Sequence, residues 1–239
     1  ASGNSSVAIG GDDIDRVRTA YGNLYQNITG QALPGGYPAT ESAGGASVAV
    51  GVGASSQGQF STAIGMTSNS SGDGAVAIGP TANASGLAGV AVGIQSKASN
   101  NYTTAIGSVA TADKDYATAI GGKASATSEG AQALGYQSNA SGYQSNAIGY
   151  QAAASGVASN AIGWNANTTA QNATAIGSGA KAYSRSGIAM GSNAEAGNLG
   201  SEEILLQAVA IGTNAKAKAQ SQDVALGADS ETSTVQKTS

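Results

Sequence analysis

A short motif ending in Ala, an aliphatic residue and Gly recurs through almost the whole chain. Its Gly falls at 51, 65, 79, 93, 107, 121, 135, 149, 163, 177 and 191, and every interval is 14. The same ending closes at Gly10, Gly212 and Gly227, giving fourteen copies with irregular gaps of 41, 21 and 15 residues. A fixed internal period means a repeat architecture, in which each unit buries its inner face only against its neighbours. Fourteen residues are also two heptads, but a coiled coil needs apolar steps of three and four and a helix tolerates Gly poorly. Here the pattern has period two. With the repeat Gly as zero, position −1 is aliphatic in every copy, and +3 and +5 are small, as in Ala82/Ala84 and Ala110/Ala112. The intervening +4 is mostly polar, as in Asn69, Asn83, Lys97 and Asn139. Such alternation predicts two short strands per unit. Turns fall at the repeat Gly and at +7, which is often Gly as well, for example Gly58 and Gly72.

Composition agrees with a thin, repetitive structure. Ala, Gly and Ser supply 49, 36 and 31 of the 239 residues. Charged residues are 10%, against about 25% in an ordinary domain. A chain of this length could bury most of its surface as one globule, but the large aliphatic side chains such a core needs are scarce. With no Cys and no His, the chain lacks disulfides, zinc-thiolate sites and the commonest general base. No carboxylate pair is suggested by the register. No catalytic, cofactor-binding or metal site is therefore expected, and the reading is not an enzyme. A net charge of −4 and a pI near 4.6 argue against a nucleic-acid partner. Without a run of 18 apolar residues, no membrane contact by this segment is expected. Nor does a signal peptide precede Ala1, as expected of a mature or excised segment.

Each unit reads as one turn of a parallel β-solenoid. The −1 column is expected to form the spine of a narrow core, with the small +3 and +5 residues letting the second strand lie close. Position −2, Ala in all copies, would then face away from that core as a flat strip. Close packing of this strip against other copies of the chain is expected at Ala49, Ala63, Ala77, Ala91, Ala105, Ala119, Ala133, Ala147, Ala161 and Ala175. Relaxed selection at exposed positions is the alternative.

Two interruptions stand out, and they set the expected organisation. Residues 1–10 are a first repeat, 11–46 a helix-plus-loop insertion and 47–197 regular repeats. Residues 198–207 are a short insertion, and 208–239 the last repeats with a tail leading toward a neck. In the first insertion Ile14, Val17, Tyr21, Leu24, Tyr25 and Ile28 recur at helical steps. Asp12 and Asp13 suit its start and Gly30 its end, although Gly22 weakens it. Such a helix could cap the open end of the solenoid or protrude as a ligand or inter-subunit contact. The second insertion carries Glu202, Glu203, Ile204, Leu205 and Leu206, an apolar run expected to pack on the roll or on a neighbouring copy.

Aromatic residues are only 5% of the chain, so their positions carry weight. Tyr136, Tyr150 and Trp164 share position +1 in three successive repeats, and Tyr102 and Tyr116 share −5 with Phe60. Stacked coils would turn these columns into ladders. Either the ladders stabilise the turns, or Tyr136, Tyr150, Trp164, Tyr102 and Tyr116 form a ligand-binding patch. In the same repeats −3 turns polar, at Gln132, Asn146 and Asn160. This is either a buried amide ladder or a partly exposed column.

The motifs Ser6–Gly10, Ser47–Gly51, Ser145–Gly149 and Ala208–Gly212, at their 14-residue spacing, resemble the YadA-like heads of trimeric autotransporter adhesins. The resemblance implies an all-β fold: a left-handed parallel β-roll of fourteen repeats, homotrimeric, with a short helical insertion near the N-terminus. It implies a non-catalytic, extracellular adhesin displayed on the outer membrane of a Gram-negative bacterium, with a role in virulence. It also implies attachment to a host matrix protein such as collagen, fibronectin or laminin, to host cells, or to an abiotic surface. The alternative is an ice-binding or other structural solenoid without adhesive role. That reading would favour a regular Thr-X-Thr column, whereas Thr62, Thr104, Thr118 and Thr174 at −3 are interrupted by Val, Gln and Asn.

Overall fold

A computed structural model describes all residues other than 12–13, 31, 34, 36–38, 199–205, 220 and 233–239. Each 14-residue unit is one coil of a parallel β-solenoid. A three-residue strand such as Thr104–Ile106 and a two-residue strand such as Thr111–Ala112 are separated by tight corners. Residues 1–124 and 125–239 form two compact units. The first has seven three-residue and six two-residue strands, and the second has seven of each, among the described residues. Among the described residues the pairings are parallel and set each residue opposite its counterpart in the next coil, 14 positions on in the regular repeats. Thr104, Ala105 and Ile106, for example, face Thr118, Ala119 and Ile120. No described helix is long and apolar enough to cross a membrane.

The interior of the roll is not where alternation carried through the repeat Gly would put it. Positions −4, −2, +3 and +5 point inward. The alanines at −2 (Ala49, Ala63, Ala77, Ala91, Ala105, Ala119, Ala133, Ala147, Ala161 and Ala175) have no exposed surface at all. They line the inside of the coil and cannot pack against another copy, which corrects the expectation above. Conversely, the −1 column faces outward: Ile64, Ile78, Ile106, Ile120 and Ile148 are 37–39% exposed. The physical reason lies in the corners. At the first corner Ala110 N–H donates to Gly107 O (3.2 Å), closing a β-turn. Its third residue, Val109, lies at φ +60, as a type II turn requires. The strand leaves such a turn with its inner face resumed at +3, an odd step from −2, so parity is broken once at every corner. The second corner repeats the device: Ala117 N–H donates to Lys114 O (3.0 Å) across Tyr116 at φ +61.

What fits inside so small a coil is correspondingly small. Among the described residues no side chain larger than Thr is fully buried; Thr103 and Thr168 are the largest. Buried hydroxyls find partners locally, as polar groups away from water must. Ser47 Oγ donates to Gly44 O (2.7 Å), and the Ser56 and Ser61 hydroxyls lie 2.6 Å apart. The repeat Gly answers a second constraint. Gly107 sits at φ +130, and a Cβ there would lie 2.5 Å from the carbonyl oxygen of Gly121 on the next coil. Only Gly combines that backbone with so close an approach. Between coils the backbone supplies the cohesion, with bonds such as Gly107 N–H to Val92 O (2.8 Å) and Thr111 N–H to Ala124 O (2.9 Å).

The first insertion enters the roll at a corner. The strand Val7–Ile9 pairs with Val48–Val50, and the roll resumes at Glu41–Ser42, which pairs with Ser55–Ser56. Roll structure therefore begins inside the range expected to be all insertion. The predicted helix is present as α1 (Ile14–Thr29). Gly30, at φ +77, ends it by donating its N–H to Gln26 O (2.8 Å). Asp12 and Asp13 lie outside the described residues. Because the chain leaves the roll at the +1 corner, α1 lies along that corner and not over the open end. Tyr25 and Leu33 are buried there against Val17, Val52, Met66 and Ile94. Thr81 Oγ1 donates to Pro80 O (2.7 Å), and Tyr25 OH meets that hydroxyl at 2.7 Å. The end-capping role is thereby replaced by a lateral one. In the second insertion, Glu202, Glu203, Ile204 and Leu205 lie outside the described residues. Leu206 bridges Arg185 through its backbone while its side chain remains 43% exposed.

The narrow interior makes a clear stability test. Position +5 accepts Ser or Thr in other coils (Ser56, Ser70, Thr168). Ala112→Ser should therefore change stability by less than about 0.5 kcal/mol, while Ala112→Leu should cost about 3 kcal/mol by overpacking. Chemical denaturation followed by circular dichroism measures both.

Candidate functional surfaces

Stacking of coils converts columns of sequence into stripes of surface, and three stripes are chemically distinct. The first is the outer face of the three-residue strands. Its −1 residues are Val, Ile, Leu or Met, and its −3 residues mix Val, Thr, Asn, Gln and Ile, as in Val76, Val90 and Thr104. An apolar strip continued from coil to coil and facing solvent is the kind of surface that marks an interaction site. Within it, Asn146 Nδ2 donates to Asn160 Oδ1 (2.8 Å). The polar −3 column at Gln132, Asn146 and Asn160 is thus partly exposed, with one amide bond within it.

The second stripe lies on the corners. Tyr102 and Tyr116 stack with ring centroids 5.4 Å apart and planes 6° apart, at left-handed backbone positions (φ +57 and +61). Tyr136 and Tyr150 stack at 5.5 Å and 20°. Trp164 holds the same +1 position one coil on and is 56% exposed, but makes no ring stack with Tyr150. The predicted residues are therefore brought together as two stacked pairs with an exposed indole in the column of the second. In each pair one face of each ring is covered by its partner, and the four tyrosines remain 45–60% exposed. Sequence reading missed the amides beside them: Gln151 Nε2 donates to Gln137 Oε1 (2.9 Å), and Asn165 follows at the same +2 position. The signal was available as a Gln, Gln, Asn column, one residue beyond the aromatic one. On the other corner, carboxylates and amides accept backbone N–H groups of the preceding coil. Asp73 Oδ1 accepts from Gln59 (2.8 Å) and Asp115 Oδ1 from Asn101 (3.0 Å).

The third stripe is the outer face of the two-residue strands, and it is polar. Toward the C-terminus it alternates in charge: Lys181 pairs with Glu195, Glu195 with Lys216, and Lys216 with Glu231. Opposite charges directly across neighbouring strands are mutually favourable. Lys218 Nζ adds an ion pair with Glu195 (3.0 Å). Beside them the Tyr183 hydroxyl is held above its ordinary pKa by burial and then by the Glu195 carboxylate. No cluster of acidic, His or Cys residues suited to a metal ion occurs among the described residues.

The family model described as the YadA head domain repeat matches residues 42–68 and 70–93, overlapping windows from 84 to 194, and 206–230. Comparison with curated proteins gives no match. The matched windows follow the stacked coils from the one containing Ser42 to the one containing Leu226, so the repeat that builds the roll is also the repeat that the family shares. The chain accordingly belongs to the YadA head family, the heads of trimeric autotransporter adhesins.

Proposed function

We propose that this chain is a non-catalytic adhesin head, displayed outside the outer membrane of a Gram-negative bacterium and working as a homotrimer. The observation that carries the trimer is the solvent-facing Ile column. Ile64, Ile78, Ile106, Ile120 and Ile148 cannot enter the roll, whose interior is full of methyl and hydroxyl groups. Burying the part of each that is still exposed contributes roughly 0.5–1 kcal/mol. Three copies that turn this face toward a common axis would remove the column from water while leaving the polar third stripe outside. The small side chains inside each roll and the large ones outside it divide the work: Ala and Ser let the coil close, and Ile joins the copies.

Attachment is assigned to the corners, which border the seams between neighbouring copies in such an arrangement. Tyr136, Tyr150 and Trp164, with the amides of Gln137 and Gln151 alongside, combine aromatic area with hydrogen-bonding groups, the combination preferred at protein interfaces. Tyr102 and Tyr116 form a second such patch. The partners that family membership favours are a host matrix protein such as collagen, fibronectin or laminin, or an abiotic surface. The outer face carries no extended Thr ladder of the kind ice binding would favour, because Thr at −3 runs through at most two successive coils before Val, Gln, Asn or Ile interrupts it.

Two measurements test this reading. Wild-type protein should sediment with the mass of three copies. Ile78→Asp combined with Ile106→Asp should sediment as one, while Asn83→Asp on the polar face leaves the mass unchanged. In a solid-phase panel of collagen, fibronectin, laminin and plastic, the wild-type trimer should bind at least one. The triple change Tyr136→Ala, Tyr150→Ala and Trp164→Ala should weaken that binding about tenfold or more, a loss of about 1.4 kcal/mol. Binding to nothing in the panel would argue against adhesion, and undiminished binding of the variant would remove the aromatic column from the site.

A further inference from the structure

The corner that carries α1 holds a groove which its own chain leaves open. α1 and the coils beneath it surround about 150 Å³ of space, with Val17, Leu24, Ile28, Met66, Pro80 and Ile94 among its apolar walls. Tyr21, Leu24 and Ile28, on α1, are 61%, 58% and 40% exposed. The groove is continuous with the outward Ile column. Ile64, Ile78 and Val92 precede the repeat Gly in the coils whose Met66, Pro80 and Ile94 follow it.

The opposite edge of the same face carries knobs. Phe60 is the chain's single Phe. It is 71% exposed and held at φ +57, where a bulky residue is strained and Gly or Asn would be at ease. Leu87, on the same corner, is 43% exposed. Their levels match the groove. Phe60 lies two residues before the strand Thr62–Ile64 and Met66 two residues after it. Similarly, Leu87 precedes and Ile94 follows the strand Val90–Val92. Each strand crosses the face once, so its two ends stand at one height. When copies turn this face toward a shared rotation axis, the groove edge of one adjoins the knob edge of the next at that same height. A closed ring built in this way uses two different patches on each copy.

We propose that Phe60 of one copy, with Leu87 beside it, enters the α1 groove of the next, so that the inserted helix is a clasp between copies. An apolar cavity of about 150 Å³ accommodates a benzene ring. The occupant would also account for a bulky aromatic held, strained and bare, at a corner. The inference rests on the inward-facing trimer proposed above.

Because the chain contains no Cys, paired cysteines test it directly. Phe60→Cys is combined in turn with Tyr21→Cys, Leu24→Cys and Ile28→Cys in the full chain, and oxidised samples are resolved without reductant. Within one copy Phe60 and the groove lie at opposite ends of the strand Thr62–Ile64. Only bonds between copies can link three chains covalently. At least one pair should give a covalent trimer that neither parent single-cysteine variant gives. Phe60→Asn supplies a second reading. At an unpartnered corner it would relieve the strained backbone and raise the thermal midpoint; with Phe60 inserted in a neighbour, it should lower the midpoint by several degrees. A wild-type protein that sediments as three copies while all three pairs yield only monomers overturns the clasp and leaves the trimer standing. An unchanged or raised midpoint for Phe60→Asn also overturns the clasp. Wild-type protein that sediments as one copy overturns both readings.

Discussion

The inner width of a 14-residue coil governs everything else in this molecule. Two strands joined by two tight corners enclose room for a methyl or a hydroxyl from each side and nothing larger than the Thr103 and Thr168 side chains. Once the interior is limited to Ala, Ser and Thr, the hydrophobic contribution per residue is small, about that of one methylene group or less. Cohesion then falls to the bonds between coils, each worth about 1 kcal/mol net but repeated at every level. The close approach that makes those bonds possible is what excludes a Cβ from Gly107 and its equivalents.

The same limit explains the outside. Large aliphatic residues present in every repeat have no place in the coil, so they accumulate on the outer face as a continuous strip. A solenoid of this width cannot bury its own large apolar side chains. In this sense the chain is turned inside out: the interior is small and partly polar, and the large apolar column lies outside. The inserted helix follows the same logic. It leaves the roll at a corner, settles on the +1 column where Val52, Met66, Pro80 and Ile94 happen to be apolar, and leaves part of its own apolar surface open.

The periodicity made the solenoid legible, down to the parallel register that pairs Ala105 with Ala119. It also made the columns legible: the aromatic pairs Tyr102–Tyr116 and Tyr136–Tyr150 stack as their spacing requires. The helix was readable from apolar steps between Ile14 and Ile28 and from Gly30. The orientation of the faces was not readable. Alternation fixes which residues share a face within a strand, but not how a corner relates one strand's face to the next. That relation depends on left-handed residues such as Val109 and Lys123, whose identities do not advertise a positive φ. Consequently the alanines read as a contact between copies are interior, and the isoleucines read as core are the outward strip.

What this sequence determined by itself is a count and a register: fourteen motifs, a strand and a turn in each, and like residues stacked on like. Those follow from the repeat alone, because identical units placed side by side can satisfy their backbones only by pairing in register. The tertiary structure decided which side of each strand is inside and where the inserted helix lies. Both depend on corner geometry, a property of several residues closing on one another in space, and neither is carried by any one position of the repeat.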